Sequence, residues 1–103
     1  MSSSFEDRIT LGLVQWITLV EANDSAESLR IGLTHNPEKS ATEKSLYFTG
    51  VTQVVSEWED RNDECMESII AAHEEKDGEQ RRYLFHTEQR RLWIWTKHPV
   101  AIR

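Results

Sequence analysis

Residues 83–97, which read YLFHTEQRRLWIWTK, are the stretch that decides the predicted fold. Aromatic and β-branched residues on both sides of a polar centre favour two strands folded back at residues 88–91. Because side chains alternate across a strand, one face of this hairpin carries four apolar side chains, Tyr83, Phe85, Leu92 and Ile94. The other face carries Leu84, His86, Trp93 and Trp95. Both faces need cover, so the hairpin is predicted to be the central ribbon of a closed or layered β domain or to hold one face for a partner.

The hairpin also provides the first candidate binding residues. We expect a register that places Thr87 opposite Leu92 and His86 opposite Trp93. His86 then lies beside the indoles of Trp93 and Trp95, and these three side chains form a candidate binding face. The alternative interpretation is that His86 is a half-buried strand residue and that both tryptophans belong to the core.

The length and composition are typical of one globular domain. The 103 residues are 38% hydrophobic and 29% charged, and we predict a single domain over residues 1–103 with residues 1–5 frayed. The single cysteine, Cys65, cannot form an internal disulfide. The N-terminal segment lacks the pattern of a secretory signal, and the apolar runs are too short to span a membrane. The sequence therefore predicts a cytoplasmic protein.

The charges are distributed unevenly along the chain. The net charge of −6 disfavours nucleic-acid binding, which depends on neutralising phosphates. Residues 57–79 contain ten acidic and two basic side chains, whereas residues 80–103 contain six basic and one acidic. The acidic block either lies beside the basic hairpin and cancels its charge, or forms a face that attracts a basic partner. Glu57, Glu59 and Asp60 are the candidate binding residues on such a face.

Three further segments have the composition of strands. These are residues 9–20, 28–35 and 45–55, with polar turns or loops between them. Gly12 argues against a helix in the first segment, and we expect a bulge near it. A second bulge is expected at Gly50, where it would let the following valines re-enter the core.

Residues 53–76 are compatible with two structures. Apolar residues recur there at helical spacing, which favours a helix. The Asp77-Gly78 pair between two apolar runs instead favours a hairpin that joins a strand at residues 68–75 to the strand at residue 82 onwards. We therefore predict a mainly β fold, a small antiparallel barrel or sandwich of five to six strands. The alternative is an α+β fold with one helix at residues 57–76 packed on an antiparallel sheet.

The motifs of common active sites are missing from the sequence. The four histidines are not spaced as metal ligands, and acidic neighbours disfavour the thiolate of Cys65. The four glycines are isolated, so no phosphate-binding loop is predicted, and no serine lies in a nucleophile elbow. We therefore predict no catalytic, cofactor-binding or metal-binding residues and a protein that is not an enzyme.

One arrangement in the C-terminal half is familiar. A strand reading LYFTGV, an acidic stretch, an Asp-Gly hairpin and a WIW strand resemble the layout of several small bacterial domains, including some immunity proteins of toxin systems. The resemblance rests on β patterning and assigns no role to any residue.

The sequence leaves three functions to compare. The leading expectation is a small acidic, non-catalytic binding module, of the inhibitor, immunity or adaptor type, that docks a basic or apolar surface of a protein partner. The second is a β-barrel carrier or sensor that encloses a small molecule between Trp16, Trp58 and Trp93. The third is an enzyme whose carboxylates and His86 are brought together by the fold. A homodimer through Trp93 and Trp95 is compatible with the first two.

Overall fold

The computed structural model describes residues 4–25, 27–38, 42–59 and 66–103. Within these ranges the chain forms one short helix and eight strands: α1 (Phe5–Thr10), β1 (Trp16–Ala22), β2 (Ser28–Thr34), β3 (Lys44–Thr49), β4 (Val51–Trp58), β5 (Glu67–Asp77), β6 (Gln80–Thr87), β7 (Arg90–Thr96) and β8 (Ala101–Ile102).

All eight strands of the described ranges belong to one antiparallel sheet in the order β4-β7-β6-β5-β1-β2-β3-β8. Within the described ranges, the two halves of this sheet meet where Trp16 pairs with Ser68 and Ile17 pairs with Glu67, and the Ile69 N–H donates to the Gln15 carbonyl beside these pairs. The predicted mainly β class is confirmed. The predicted number of five to six strands was wrong, and the sheet does not close into a barrel, because β4 and β8 remain as separate edges.

The core lies between the inner faces of the two halves. Phe48 of β3 and Tyr83 of β6 are fully buried, and their ring centroids are 5.1 Å apart in an edge-to-face arrangement. Since β3 and β6 are separated by three strands in the sheet order, this contact requires the sheet to bend strongly. Phe5 and Phe85 extend the aromatic cluster, with centroids 5.7 Å apart. Such pairs stabilise a core beyond the area that they bury.

The helix α1 occupies part of the segment that the sequence assigned to a strand or to a frayed end. Ser4 caps it by accepting a hydrogen bond from the Asp7 N–H, and Phe5 and Ile9 are buried. The helix ends at Thr10, and the residue that caps its C-terminus, Leu11, has a φ of 51°. The predicted strand over residues 9–20 was therefore wrong before Trp16. Residues 1–3 lie outside the described ranges.

The helix also covers the gap between the two halves of the sheet. The edge of β5 pairs with β1 only at its start, and after these pairs it contacts α1. At this contact the Ala72 N–H donates to Glu6 Oε1 at 3.0 Å. Arg8 forms a salt bridge with Glu74 at 3.2 Å. The Glu6 carboxylate thereby accepts a hydrogen bond from a backbone N–H that the edge of β5 would otherwise leave without a partner.

The sequence segment at residues 45–55 forms parts of two strands rather than one strand with a bulge. Gly50, with a φ of 64°, separates β3 from β4. The two strands then lie on opposite halves of the sheet, since β3 pairs with β2 and β4 pairs with β7. The predicted strand at residues 28–35 is confirmed by β2, Ser28–Thr34.

The ambiguous segment after residue 66 is a strand. β5 covers Glu67–Asp77 and pairs with β6 through the turn at Gly78, with Asp77 opposite Gln80. The alternative α+β fold with a helix at residues 57–76 is therefore wrong, because Glu57 and Trp58 also belong to a strand. Residues 60–65, which include Asp60 and Cys65, lie outside the described ranges.

The hairpin formed by β6 and β7 has the predicted faces and a different register. Phe85 pairs with Leu92 and Leu84 with Trp93, two positions away from the predicted pairing of His86 with Trp93. Thr87 Oγ1 accepts the Arg90 N–H at 3.0 Å and closes the turn tightly. A shift of two residues leaves every side chain on its face, so the prediction of the two faces is confirmed.

Candidate protein-binding face

The side of β4, β7, β6 and β5 that points away from the core is named here the outer face. Its members alternate with the buried residues of the same strands: Gln53, Val55, Glu57, Ala71, His73, Glu75, Arg82, Leu84, His86, Arg91, Trp93 and Trp95.

An apolar row crosses the centre of the outer face. Val55 pairs with Trp93, and Trp93 pairs with Leu84, so the three side chains are neighbours on three adjacent strands. All three are half-buried, in contrast to Ile94 and Phe85 beside them, which are fully buried on the other side of the sheet. The row is therefore neither core nor an ordinary polar surface.

Trp95 lies next to this row and is held in place by a carboxylate. Its indole Nε1–H donates a hydrogen bond to Asp77 Oδ2 at 3.0 Å. Arg82 is its neighbour on β6 and forms a salt bridge with Glu75 on β5. An indole whose N–H is already bonded presents its ring in a fixed orientation, which lowers the entropic cost of a contact with a partner.

His86 and the acidic candidate residues lie at the end of the outer face near the β6–β7 turn. His86 pairs with Arg91, which also pairs with Glu57. The Glu59 carboxylate, just after β4, approaches Arg91 with Oε1 at 3.7 Å from Nε. His86 is thus a diagonal neighbour of Trp93 rather than its direct partner.

The structure brings most of the predicted site residues together. Four of them, Glu57, His86, Trp93 and Trp95, share the outer face, and Glu59 lies at its end. The sequence did not reveal Val55, because the partner of β4 was unknown. It also did not reveal Ile70, which is 57% exposed at a bulge in β5 next to Ala71. The alternation of Gln53, Val55 and Glu57 was the signal that could have placed Val55 on this face.

The acidic block and the basic hairpin are adjacent, as one of the two charge interpretations predicted. Ion pairs join them at Glu59–Arg91, Glu74–Arg81, Glu75–Arg82 and Glu67–Arg90. Around the outer face the described residues nevertheless contribute more acidic than basic groups, with Glu57, Glu59, Glu75 and Asp77 set against Arg82 and Arg91. The apolar row therefore has a net acidic rim.

A buried ion pair fixes the position of β4 relative to its neighbours. Arg90 Nε lies 2.9 Å from Glu67 Oε2, and both side chains are about nine-tenths buried, with exposed fractions of 10% and 12%. The guanidinium also contacts Ser56 Oγ at 3.4 Å and stacks on the ring of Trp58 at 4.4 Å. Because Ser56 and Trp58 belong to β4, this cluster ties β4 to β5 and β7, and it was not foreseen from the sequence.

Tyr83 is the described group with a shifted pKa, and it belongs to the core rather than to the outer face. Burial raises the pKa of Tyr83 to about 12, and its hydrogen bond with Glu74 acts in the same direction. The phenol oxygen accepts the Val100 N–H at 2.9 Å. Tyr83 therefore connects β6 to the C-terminal segment through a neutral hydroxyl.

Comparison with family models, with curated proteins and with solved structures finds no match to this chain. Within the described residues, the single short helix falls far below the length and apolarity needed to cross a membrane. No cluster of three or more histidine, cysteine or carboxylate side chains suited to a metal ion occurs among them.

Proposed function

We propose that this protein is a small non-catalytic binding module that docks a protein partner on its outer face. The observation that carries the proposal is the apolar row of Val55, Trp93 and Leu84, half-buried on a sheet face whose opposite side already forms the core. Indole rings at the centre of a patch with a charged rim are the usual composition of interface hot spots.

The rim indicates the chemistry of the partner. Acidic groups outnumber basic ones around the row, so the complementary surface is apolar at its centre and basic at its edge. Arg91 and Arg82 are already paired with Glu59 and Glu75, which keeps their positive charges from opposing such a partner. An inhibitor, immunity-type or adaptor protein would use the face in this way.

The alternative of a ligand-enclosing carrier receives less support. Trp58 and Trp93 lie on opposite sides of the sheet, so together with Trp16 they do not surround a common volume. The space between the two halves is filled by the aromatic cluster around Phe48 and Tyr83. A cleft of about 330 Å³ lies elsewhere, against β1, β2 and β3, and none of these three tryptophans lines it.

The proposal is tested by retaining partners on the immobilised chain and then measuring affinity with purified material. A partner that uses the outer face loses about 2 kcal/mol or more of binding free energy on Trp93→Ala, which is roughly a 30-fold weakening. Leu84→Glu is expected to act in the same direction. Val20→Lys is the matched control, since Val20 is an exposed strand valine of β1.

Charge reversal tests the rim separately. Glu57→Lys and Glu59→Lys are expected to slow association with a basic partner, and the effect is expected to shrink as salt is added. A partner whose affinity is unchanged by Trp93→Ala and Leu84→Glu, or whose association shows no dependence on salt, contradicts the proposal.

A further inference from the structure

Beyond Val51, whose N–H donates to the Glu27 carbonyl at 2.9 Å, the strand β4 has an edge with no neighbouring strand among the described residues. In the described ranges β4 is the first strand in the sheet order and pairs only with β7, whereas the opposite edge is formed by β8, which has two residues. β4 has eight residues, and Glu57 is its only charged side chain. Proteins ordinarily protect a long edge with proline, lysine or a covering segment, because unpaired backbone groups recruit another strand.

The pairing with β7 shows which backbone groups are available. The Glu59 N–H donates to the Gln89 carbonyl, on the far side of the bulge that interrupts the pairing of β4 with β7 between Val51 and Gln53. Since backbone groups alternate in direction along a strand, Val55 and Glu57 direct theirs toward β7. Val54 and Ser56 therefore direct their N–H and C=O groups toward the open edge.

From this edge we infer that the chain forms a homodimer in which β4 pairs antiparallel with β4 of a second copy. A two-fold axis perpendicular to the sheet keeps each side chain on its own face, so only residues that share a face can lie opposite one another. The register that centres the regular part of the strand, residues 53–57, places Val55 opposite Val55 of the second copy. Val54 and Ser56 then exchange backbone hydrogen bonds across the axis.

The side chains of β4 are complementary to themselves in this register. Glu57 lies opposite Gln53 of the second copy, so like charges do not face each other. On the inner side, Val54 lies opposite Ser56 and diagonally beside Trp58 of the second copy. Val54 is 45% exposed and Trp58 is 41% exposed, and the pairing covers both.

The dimer also extends the outer face. The row of Leu84, Trp93 and Val55 continues across the axis into the same row of the second copy, which doubles its length. The inference does not depend on the proposed function, because the edge is paired through backbone groups of Val54 and Ser56, whereas a docked partner contacts side chains that point outward from the sheet. A partner docked on the outer face leaves the β4 edge paired.

The mass in solution is the first test. Sedimentation equilibrium from about 5 to 200 µM is expected to show a species of twice the 12.0 kDa chain mass. Val54→Lys and Val54→Pro are expected to give the monomer mass, because one adds a charge at the edge and the other removes an edge N–H without breaking a bond to β7. Val20→Lys is the control that keeps the dimer. A wild-type monomer throughout this range overturns the inference, as does a dimer that persists in both Val54 variants.

Cysteine crosslinking tests the register without destabilising the fold. In a Cys65→Ser background, Val55→Cys is expected to form a crosslinked dimer on mild oxidation, since residues at a non-hydrogen-bonded antiparallel pair have Cα atoms about 4.5 Å apart. Gln53→Cys is expected not to crosslink, because its copies lie roughly 13 Å apart along the strands. Equal crosslinking at the two positions, or crosslinking at residue 53 alone, overturns the register. Leu84→Glu changes the outer face and is expected to leave both results intact, which separates this inference from the proposed function.

Discussion

The ion pair between Arg90 and Glu67 is expected to contribute much more to stability than the surface pair between Arg82 and Glu75. Arg90 Nε and Glu67 Oε2 are 2.9 Å apart, and only 10% and 12% of the two side chains is exposed. At an effective dielectric constant of about 20, the Coulomb attraction over this distance is about 6 kcal/mol. Desolvation of both ions offsets much of that attraction, but removing one partner leaves the other charge buried and unpaired.

The magnitude follows from this asymmetry. Glu67→Met and Arg90→Met are each expected to destabilise the fold by about 3–5 kcal/mol. The double variant is expected to lose little more than one single variant, which gives a coupling free energy of about 2–4 kcal/mol. The Thr87 hydroxyl donates to Glu67 Oε2 at 2.9 Å and also lies 3.2 Å from the Arg90 carbonyl oxygen. Because that carbonyl belongs to the backbone, the hydroxyl keeps an acceptor in every variant.

The assay is urea unfolding followed by tryptophan fluorescence, with the free energy of unfolding obtained by linear extrapolation. The matched control is the same cycle at Glu75 and Arg82, whose side chains are 57% and 38% exposed. Its coupling is expected to stay below about 1 kcal/mol and to decrease in 1 M salt, whereas the buried coupling persists. A coupling at Glu67 and Arg90 no larger than that of the control would show that burial does not strengthen this ion pair.

Three further predictions concern the core and the turns. Phe5→Ala is expected to cost about 3–5 kcal/mol in urea unfolding, because Phe5 is 5% exposed within the aromatic cluster; a loss below about 1 kcal/mol would contradict the position of α1. Burial raises the pKa of Tyr83 from 10.0 in the unfolded chain to about 12 in the fold. The neutral phenol therefore contributes fully to the free energy of unfolding below pH 10, and this contribution is lost as the pH rises toward 12. Unfolding measured at pH 9 and pH 11 is expected to show this loss in the wild type and a smaller one in Tyr83→Phe; equal losses would argue against a buried phenol. Gly50→Ala is expected to destabilise more than Gly78→Ala, although both glycines have a φ near 65°, because a Cβ at Gly50 would lie 2.8 Å from His98 whereas Gly78 has open space; equal losses would contradict the crossing between β3 and β4.

The two faces of the β6–β7 hairpin could be predicted because alternation is a local property of the sequence. Tyr83 and Phe85 had to share a face whatever the register. The register itself depends on the turn, and Thr87 Oγ1 determines it by accepting the Arg90 N–H, a contact that the apolar pattern does not encode. The alternation of apolar residues therefore predicted which side chains share the outer face, but it did not predict which residues pair across β6 and β7.

The helix α1, the change of direction at Gly50 and the ion pair between Arg90 and Glu67 were not predicted, because each depends on contacts between distant segments. Phe5 and Ile9 are spaced as one face of a helix, but the apolar run from Ile9 onward also alternates, and the core contact of Phe5 decided between the two. The change of direction at Gly50 similarly depends on β4 finding β7, more than thirty residues later in the sequence. Arg90 and Glu67 meet only once these strands are in place.

The accessibility of Trp93 and Trp95 is the most direct test of the outer face as a binding surface. Acrylamide quenching would be measured on chains that keep one of these two tryptophans and have phenylalanine at the other three positions, with the mass determined by sedimentation in the same buffer. Quenching in both the monomer and the β4-paired dimer is the predicted result, because edge pairing leaves the outer face open. Indoles that are protected from acrylamide in the free chain would contradict the proposed binding surface, since the outer face would then already be covered.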